Sequence, residues 1–341
     1  MVDWPRMQRP NLVVCAGREL FASFFPSGLQ RRLSGRFHWQ RDGSREITPR
    51  LRKLMAPAQA VITTWDSPNF SEDLLRLAPR LRIIAHCGGE VKSRFSRPLF
   101  DRLIITNAPA PMACASAELG AAFLLYCARN VDFYRHQLRA RSNRVYRDLH
   151  LRGAPESLVG REVAMIGFGR IGRALVDLLR GFDLRWLVYD PYVRKSLARE
   201  YPVQFVSLST LLGRGHLLVM TAALTKETRG LLSKSCLSLL PDNASVINIA
   251  RGGLLDLDAL TREVKRGRLS CALDVTDPLE PLPVEHPLRR LRGAIVTPHI
   301  AGTNHHVRHE MAKVVLDDLE NFFRGQKVNN RVTSAMLDRM T

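Results

Sequence analysis

The stretch Glu162–Asp190, EVAMIGFGRIGRALVDLLRGFDLRWLVYD, constrains this chain more than any other. It reads as strand, glycine turn, helix and second strand, ending on a carboxylate. Val163, Met165 and Ile166 make a short apolar strand, and Gly167, Gly169 and Gly172 then set the G-x-G-x-x-G spacing at the mouth of a helix spanning Arg170 to Leu179. Each glycine has its own task. The first permits a tight turn, the second lets the backbone approach a pyrophosphate, and the third lets helix and strand pack closely, with phosphates resting on the positive helix N-terminus. Gly181 closes the helix, and Arg185 to Tyr189 form the next strand. Asp190 lies eighteen residues beyond Gly172, where an acid can accept hydrogen bonds from a ribose diol. Its charge would repel a 2′-phosphate and so favours NAD over NADP, although Arg194 and Lys195 lie close by. The plainer alternative is a turn carboxylate before Pro191.

At 341 residues the chain exceeds the usual single domain, so two domains are expected. Residues 1 to about 110 alternate short strands and helices. Leu12–Cys15, Ala60–Thr63, Leu81–Ala85 and Leu103–Thr106 are the strand cores, with helices at Pro49–Met55 and Ser71–Leu77, the latter capped by Ser71. A proline-containing loop, Asn107–Pro111, leads to a helix around Ala115–Arg129, where the chain crosses between domains. From Ser157 to Ala301 seven apolar strands alternate with helical segments, starting at Glu162, Arg185, Gln204, His216, Ser245, Cys271 and Ala294. That pattern predicts a doubly wound parallel sheet. The tail is too short for a domain of its own. Its helix Val307–Phe323, with Met311, Val314, Val315, Leu319 and Phe322 on one face, should therefore return to the N-terminal half. The predicted division is 1–114 plus 306–341 for a smaller α/β substrate domain, and 115–305 for a Rossmann-type domain inserted into it. The active site is then expected between the two, beyond the strand ends.

Composition narrows the class further. No apolar run approaches the eighteen or so residues of a membrane span, Leu119–Ala128 being the longest. Asp3, Arg6 and Arg9 stand where a leader's apolar core would be, so a cytoplasmic protein is expected. The six cysteines contain no C-x-x-C pair and read as reduced packing residues. The formal charge is +19, but only eight of the 51 basic residues are lysine and the arginines are scattered. A solvated basic surface that also steers small anions explains this better than nucleic-acid binding does, even for the dense run Arg135–Arg152. His305 and His309 would share a helical face, but nothing at ligand spacing completes a metal set.

Three polar residues follow predicted strand ends in the second half. Arg251 in NIARGGLLD suits a 2-oxo acid, because a guanidinium can hold a carboxylate and polarise the neighbouring carbonyl. His299 in TPHIAG can supply a proton near neutral pH. Glu280 in LDVTDPLEPLP, placed beside His299, would orient the imidazole and keep it protonated. Without these placements they are a turn arginine, a structural histidine and a rim carboxylate.

From about Ala60 to Phe323 the chain resembles the D-isomer-specific 2-hydroxyacid dehydrogenase family, through GFGRIG with Asp190, AALTKETRGLL, NIARGGLLD, ALDVTDPLEPLP and TPHIAG. The resemblance implies a Rossmann-type sheet inserted in a flavodoxin-like domain, NAD as cofactor, a homodimer, and Arg251, Glu280 and His299 as the catalytic set. It also implies that backbone amides at Gly88 and Gly89 of HCGGEV hold the substrate carboxylate; apart from the resemblance, the charge of Lys92 beyond them would add a second anion contact. Arg170, Ile171, Thr221, Ala222, Ala250 and Asp274 would touch the cofactor. Two departures stand out. Leu279 occupies the usual place of the glutamate, with Glu280 one residue further on, which leaves Asp277 as a rival partner for His299. WDSP at Trp65–Pro68 and the charged Glu90 and Lys92 are unlike the best-known glyoxylate and phosphoglycerate enzymes, so the acid is left open. The alternative to an enzyme is an NAD-sensing, partner-recruiting protein resembling the C-terminal-binding-protein corepressors.

Overall fold

The computed structural model describes residues 9–139, 143–152 and 156–340. Asp3 and Arg6, the 140–142 part of the basic run and the Lys195 side chain lie outside the described residues. The chain divides into two compact units, Met1–Met112 with Thr303–Thr341, and Ala113–Gly302. The second is an insertion in the first.

In the first unit, β1 (Asn11–Cys15), β2 (His38–Asp42), β3 (Ala60–Thr63), β4 (Ile83–His86) and β5 (Ile104–Asn107) form a parallel sheet in the order β2-β1-β3-β4-β5. This is the flavodoxin-like order, which reverses between β1 and β3. β3 and β4 are buried along their whole length, which is why their sequences, AVIT and IIAH, read as near-continuous apolar runs. β2 carries HWQRD and escapes sequence detection, because an edge strand pairs on one side only and needs no apolar run. The helix Pro49–Met55 starts as its sequence predicts, with Pro49 in the first turn and Thr48 Oγ1 accepting the Leu51 N–H at 3.2 Å. The helix expected from Ser71 starts instead at Asp73, after an α-conformation Glu72, with Ser71 Oγ accepting from the Asp73 N–H at 3.4 Å.

The helix expected from Ala115 begins at Pro109, since prolines in a first turn open a helix rather than break it. It runs to Ala128, and at twenty residues it is long and apolar enough to cross a bilayer, which the ten-residue run Leu119–Ala128 did not suggest. Ala117, Ala121, Phe123 and Leu124 instead belong to the core of the second unit. Gly120 permits the contact: a Cβ there would lie 2.6 Å from Ile249 Cδ1.

The second unit contains β6 (Arg161–Ile166), β7 (Leu184–Tyr189), β8 (Val203–Phe205), β9 (Leu217–Met220), β10 (Ser245–Asn248), β11 (Ser270–Leu273) and β12 (Ala294–Val296). All are parallel, in the order β12-β11-β10-β9-β6-β7-β8. The order reverses between β6 and β9, the doubly wound arrangement with its ligand crevice at that switch point. Period-two alternation sends Ala164, Ile166, Leu218, Met220 and Val246 to one face, and Val163, Met165, Val219 and Ile247 to the other, so both faces are packed. The tail helix His305–Phe323 buries Met311, Val315 and Leu319 in the first unit, and β13 (Arg331–Val332) then pairs antiparallel with β5. All six cysteines are free thiols, and of these only Cys114 is exposed.

Candidate functional site

The glycine turn follows β6 and Thr221 follows β9, so the two flank the switch point of the second sheet. Gly167 has a φ of +90°, and a Cβ on it would lie 2.5 Å from the Ala222 nitrogen and Cα, so no other residue fits. Gly172 packs its helix onto the turn, with Gly167 O, Met165 Sδ and Thr221 Oγ1 all within 3.0 Å of a built Cβ. Around Gly169 there is open space, as approach of a pyrophosphate requires. Gly169 is also the N-cap of the helix Arg170–Leu178 and provides no side-chain cap, which leaves the first-turn N–H groups of Arg170 and Ile171 for an anion. Thr221 Oγ1 donates to Gly167 O at 2.6 Å and fixes the turn. The half-buried Asp190 accepts from Phe168 N–H at 2.7 Å and Tyr192 N–H at 2.9 Å, so it holds the turn while its remaining lone pairs suit a ribose hydroxyl. These residues fit a dinucleotide.

Arg251, Glu280 and His299 lie on the loops after β10, β11 and β12, three adjacent strands. The Arg251 and Glu280 loops touch through their backbones, because a Cβ on Gly252 would meet Thr276 C and O at 2.1 and 2.3 Å. Arg251 is half-buried, with Nη1 donating to Ala250 O at 2.7 Å and its carbonyl accepting from Asn248 Nδ2 at 2.9 Å. His299 Nδ1 lies 3.0 Å from Glu280 Oε1. The rival acid, Asp277, is instead paired with Arg229 at 3.1 Å. The one-residue displacement of the glutamate in sequence therefore does not separate it from the imidazole, and Nε2 is left as the ring nitrogen able to exchange a proton with a ligand.

Asp274 has a role that sequence reading did not supply. Its buried carboxylate accepts from Thr297 Oγ1 at 2.5 Å and from the Ile300 and Ala301 N–H groups at 2.9 Å, and its carbonyl accepts from His299 N–H at 2.9 Å. Those bonds close the turn on which His299 sits at a φ of +54°, a left-handed conformation that side chains rarely adopt.

In the first unit, HCGGEV follows β4. The Gly88 N–H, expected to face a carboxylate, donates to His86 O at 2.9 Å, and Gly88 O accepts from Ala108 N–H at 2.8 Å. Gly89 is half-exposed and its carbonyl is held by Asn107 Nδ2 at 2.6 Å, so its amide is the better placed of the two. Lys92 is exposed on the turn beyond. Beneath the loop, His86 is fully enclosed, with Nδ1 2.9 Å from Thr63 Oγ1, and burial together with Arg94 lowers its pKa to about 3. Among the described residues no group of three or more His, Cys, Asp or Glu side chains could hold a metal ion.

Residues 121–301 match the family model described as D-isomer specific 2-hydroxyacid dehydrogenase, NAD binding domain. A glyoxylate reductase of Pyrococcus horikoshii is 31% identical over 292 residues, 83% of this chain and 86% of the relative. A D-3-phosphoglycerate dehydrogenase of Archaeoglobus fulgidus is 28% identical over 280 residues, 81% of this chain and 52% of the relative, so this chain spans about half the length of that protein. A crystal structure of a phosphoglycerate oxidoreductase from Rhizobium etli superposes with a TM-score of 0.78 at 26% identity, covering 95% of this chain and 98% of that one.

Proposed function

Because this chain belongs to the D-isomer-specific 2-hydroxyacid dehydrogenases and carries their NAD-binding domain, we propose that it interconverts a small 2-oxo acid and its D-2-hydroxy acid. The observation that carries this reading is the 3.0 Å contact between His299 Nδ1 and Glu280 Oε1. A carboxylate on Nδ1 fixes the tautomer and ring orientation, so that Nε2 presents a proton to the substrate oxygen and takes it back in the reverse direction. Arg251 binds the carboxylate and polarises the carbonyl. The Gly88–Gly89 loop, with Lys92, makes the predicted domain of 1–114 plus 306–341 the substrate domain. Bound NADH supplies the hydride that reduces the carbonyl carbon. Gly167, Gly169, Arg170, Ile171 and Gly172 receive its pyrophosphate, Asp190 its ribose diol, and Thr221, Ala222, Ala250 and Asp274 wall the remainder. The charge on Asp190 selects NAD rather than NADP.

Enzyme names on the relatives favour turnover over a sensing role. A homodimer is supported by the exposed apolar side chains Leu138, Tyr146 and Leu151 on neighbouring helices. The test follows NADH and NADPH absorbance with glyoxylate, hydroxypyruvate, pyruvate and bulkier 2-oxo acids. Turnover of at least one acid is expected, with kcat lowered about 10²- to 10⁴-fold in His299→Ala. NADH binding without turnover of any acid would sink the reading in favour of the sensing protein.

A further inference from the structure

We infer that the Trp65 indole N–H is a substrate-binding donor, which hydrogen-bonds the carboxylate of the 2-oxo acid beside the Gly89 amide. The inference rests on the reading that the Gly88–Gly89 loop receives the acid. Trp65 follows β3, at the point where the strand order of the first sheet reverses between β1 and β3, and ligands of open α/β sheets bind outside the carboxyl ends of strands at such a point. The indole lies against the glycine loop, because a Cβ built on Gly88 would sit 3.0 Å from Trp65 Nε1.

Three further observations make this nitrogen a donor to ligand rather than to protein. Among the described residues Trp65 Nε1 donates to no acceptor, whereas Trp39 Nε1 donates to Ser34 Oγ at 3.0 Å. Trp65 is half-buried, so its polar edge is reachable, while the neighbouring His86 Nε2, 2.4 Å from the same built Cβ, is sealed from solvent. The ring is also held in place: Phe24 meets it edge-on at 5.1 Å, the Arg308 guanidinium lies 5.2 Å over it, and the Trp65 carbonyl accepts from Arg94 Nη2 at 3.0 Å. A donor fixed in this way loses little freedom on binding, and a hydrogen bond to a carboxylate is of the stronger, charge-assisted kind. With the Gly88 N–H already given to His86 O, the loop needs a second donor beside Gly89, and the indole supplies it.

The experiment pairs kinetics with a direct view of the indole. Trp65→Phe keeps the ring and removes the N–H. It is expected to raise KM for the accepted 2-oxo acid about 10- to 100-fold, with kcat within about threefold and NADH affinity unchanged. In ¹H–¹⁵N spectra of the NADH complex, the indole signal missing from Trp65→Phe should shift downfield when oxamate, a non-reducible analogue, is added to the wild type. Turnover and oxamate binding with an unmoved Trp65 signal and an unchanged KM would overturn the inference while leaving the proposed function intact. Absence of both turnover and oxamate binding would overturn the proposed function, and the inference with it.

Discussion

Enclosed at the carboxyl end of β4, His86 stays neutral in the folded protein down to a pKa of about 3, whereas in the unfolded chain it titrates near 6.5. Between those values the unfolded state binds the extra proton, so stability is complete above pH 6.5 and falls as pH drops through the window. At pH 5 the loss attributable to this one group is about 2 kcal/mol. Urea unfolding at pH 7 and pH 5 should therefore show a pH-dependent loss that shrinks by about that amount in His86→Leu. In the proposed reaction Glu280 acts at the same scale, through charge. Glu280→Gln preserves an acceptor for His299 Nδ1 but not the carboxylate that stabilises an imidazolium, so kcat should fall about 10- to 100-fold with NADH affinity unchanged. An unaltered kcat would remove Glu280 from the catalytic set.

Secondary elements place these side chains by closing turns at strand ends. The turn after β12 is held by the buried carboxylate of Asp274, which satisfies one hydroxyl and two backbone N–H groups. Asp274→Ala removes the shared acceptor from all three donors and leaves the buried Ala301 N–H without it, so a loss of about 1–3 kcal/mol is expected in denaturant unfolding. The same variant should lose kcat because His299 is no longer held in its left-handed conformation; retention of both stability and kcat would show that the turn closes by other means. The glycine turn after β6 is constrained by space. Gly167→Ala forces a Cβ onto the Ala222 backbone at a φ of +90°, so it should cost more than about 1 kcal/mol and weaken NADH binding, read by fluorescence titration.

The whole molecule carries a formal charge of +19, with the excess spread over many arginines. A field of that sign raises the local concentration of small anions, and salt screens it over about 8–10 Å at physiological strength. The expected consequence is a kcat/KM for the 2-oxo acid that falls about three- to tenfold from low salt to about 0.3 M, while kcat at saturation stays constant. A salt-independent kcat/KM would make the charge irrelevant to substrate capture.

Much of the second unit was legible in the sequence because its signals are local. Glycine spacing, strand alternation and the carboxylate after β7 lie within a single thirty-residue window, and a parallel strand buried on both faces must read as apolar. Polar β2 was invisible, because an edge strand is recruited by its neighbour β1 rather than by its own pattern. Local spacing also could not choose between Glu280 and Asp277. That choice was made by the path of the loop after β11, which brings one carboxylate to His299 and the other to Arg229. Sequence alone determined the residue types able to cradle a dinucleotide and to exchange a proton. Tertiary structure decided which polar groups are already used, such as the Gly88 N–H and the Asp274 carboxylate, because hydrogen bonds between residues distant in sequence exist only once the sheets have aligned the loops that make them.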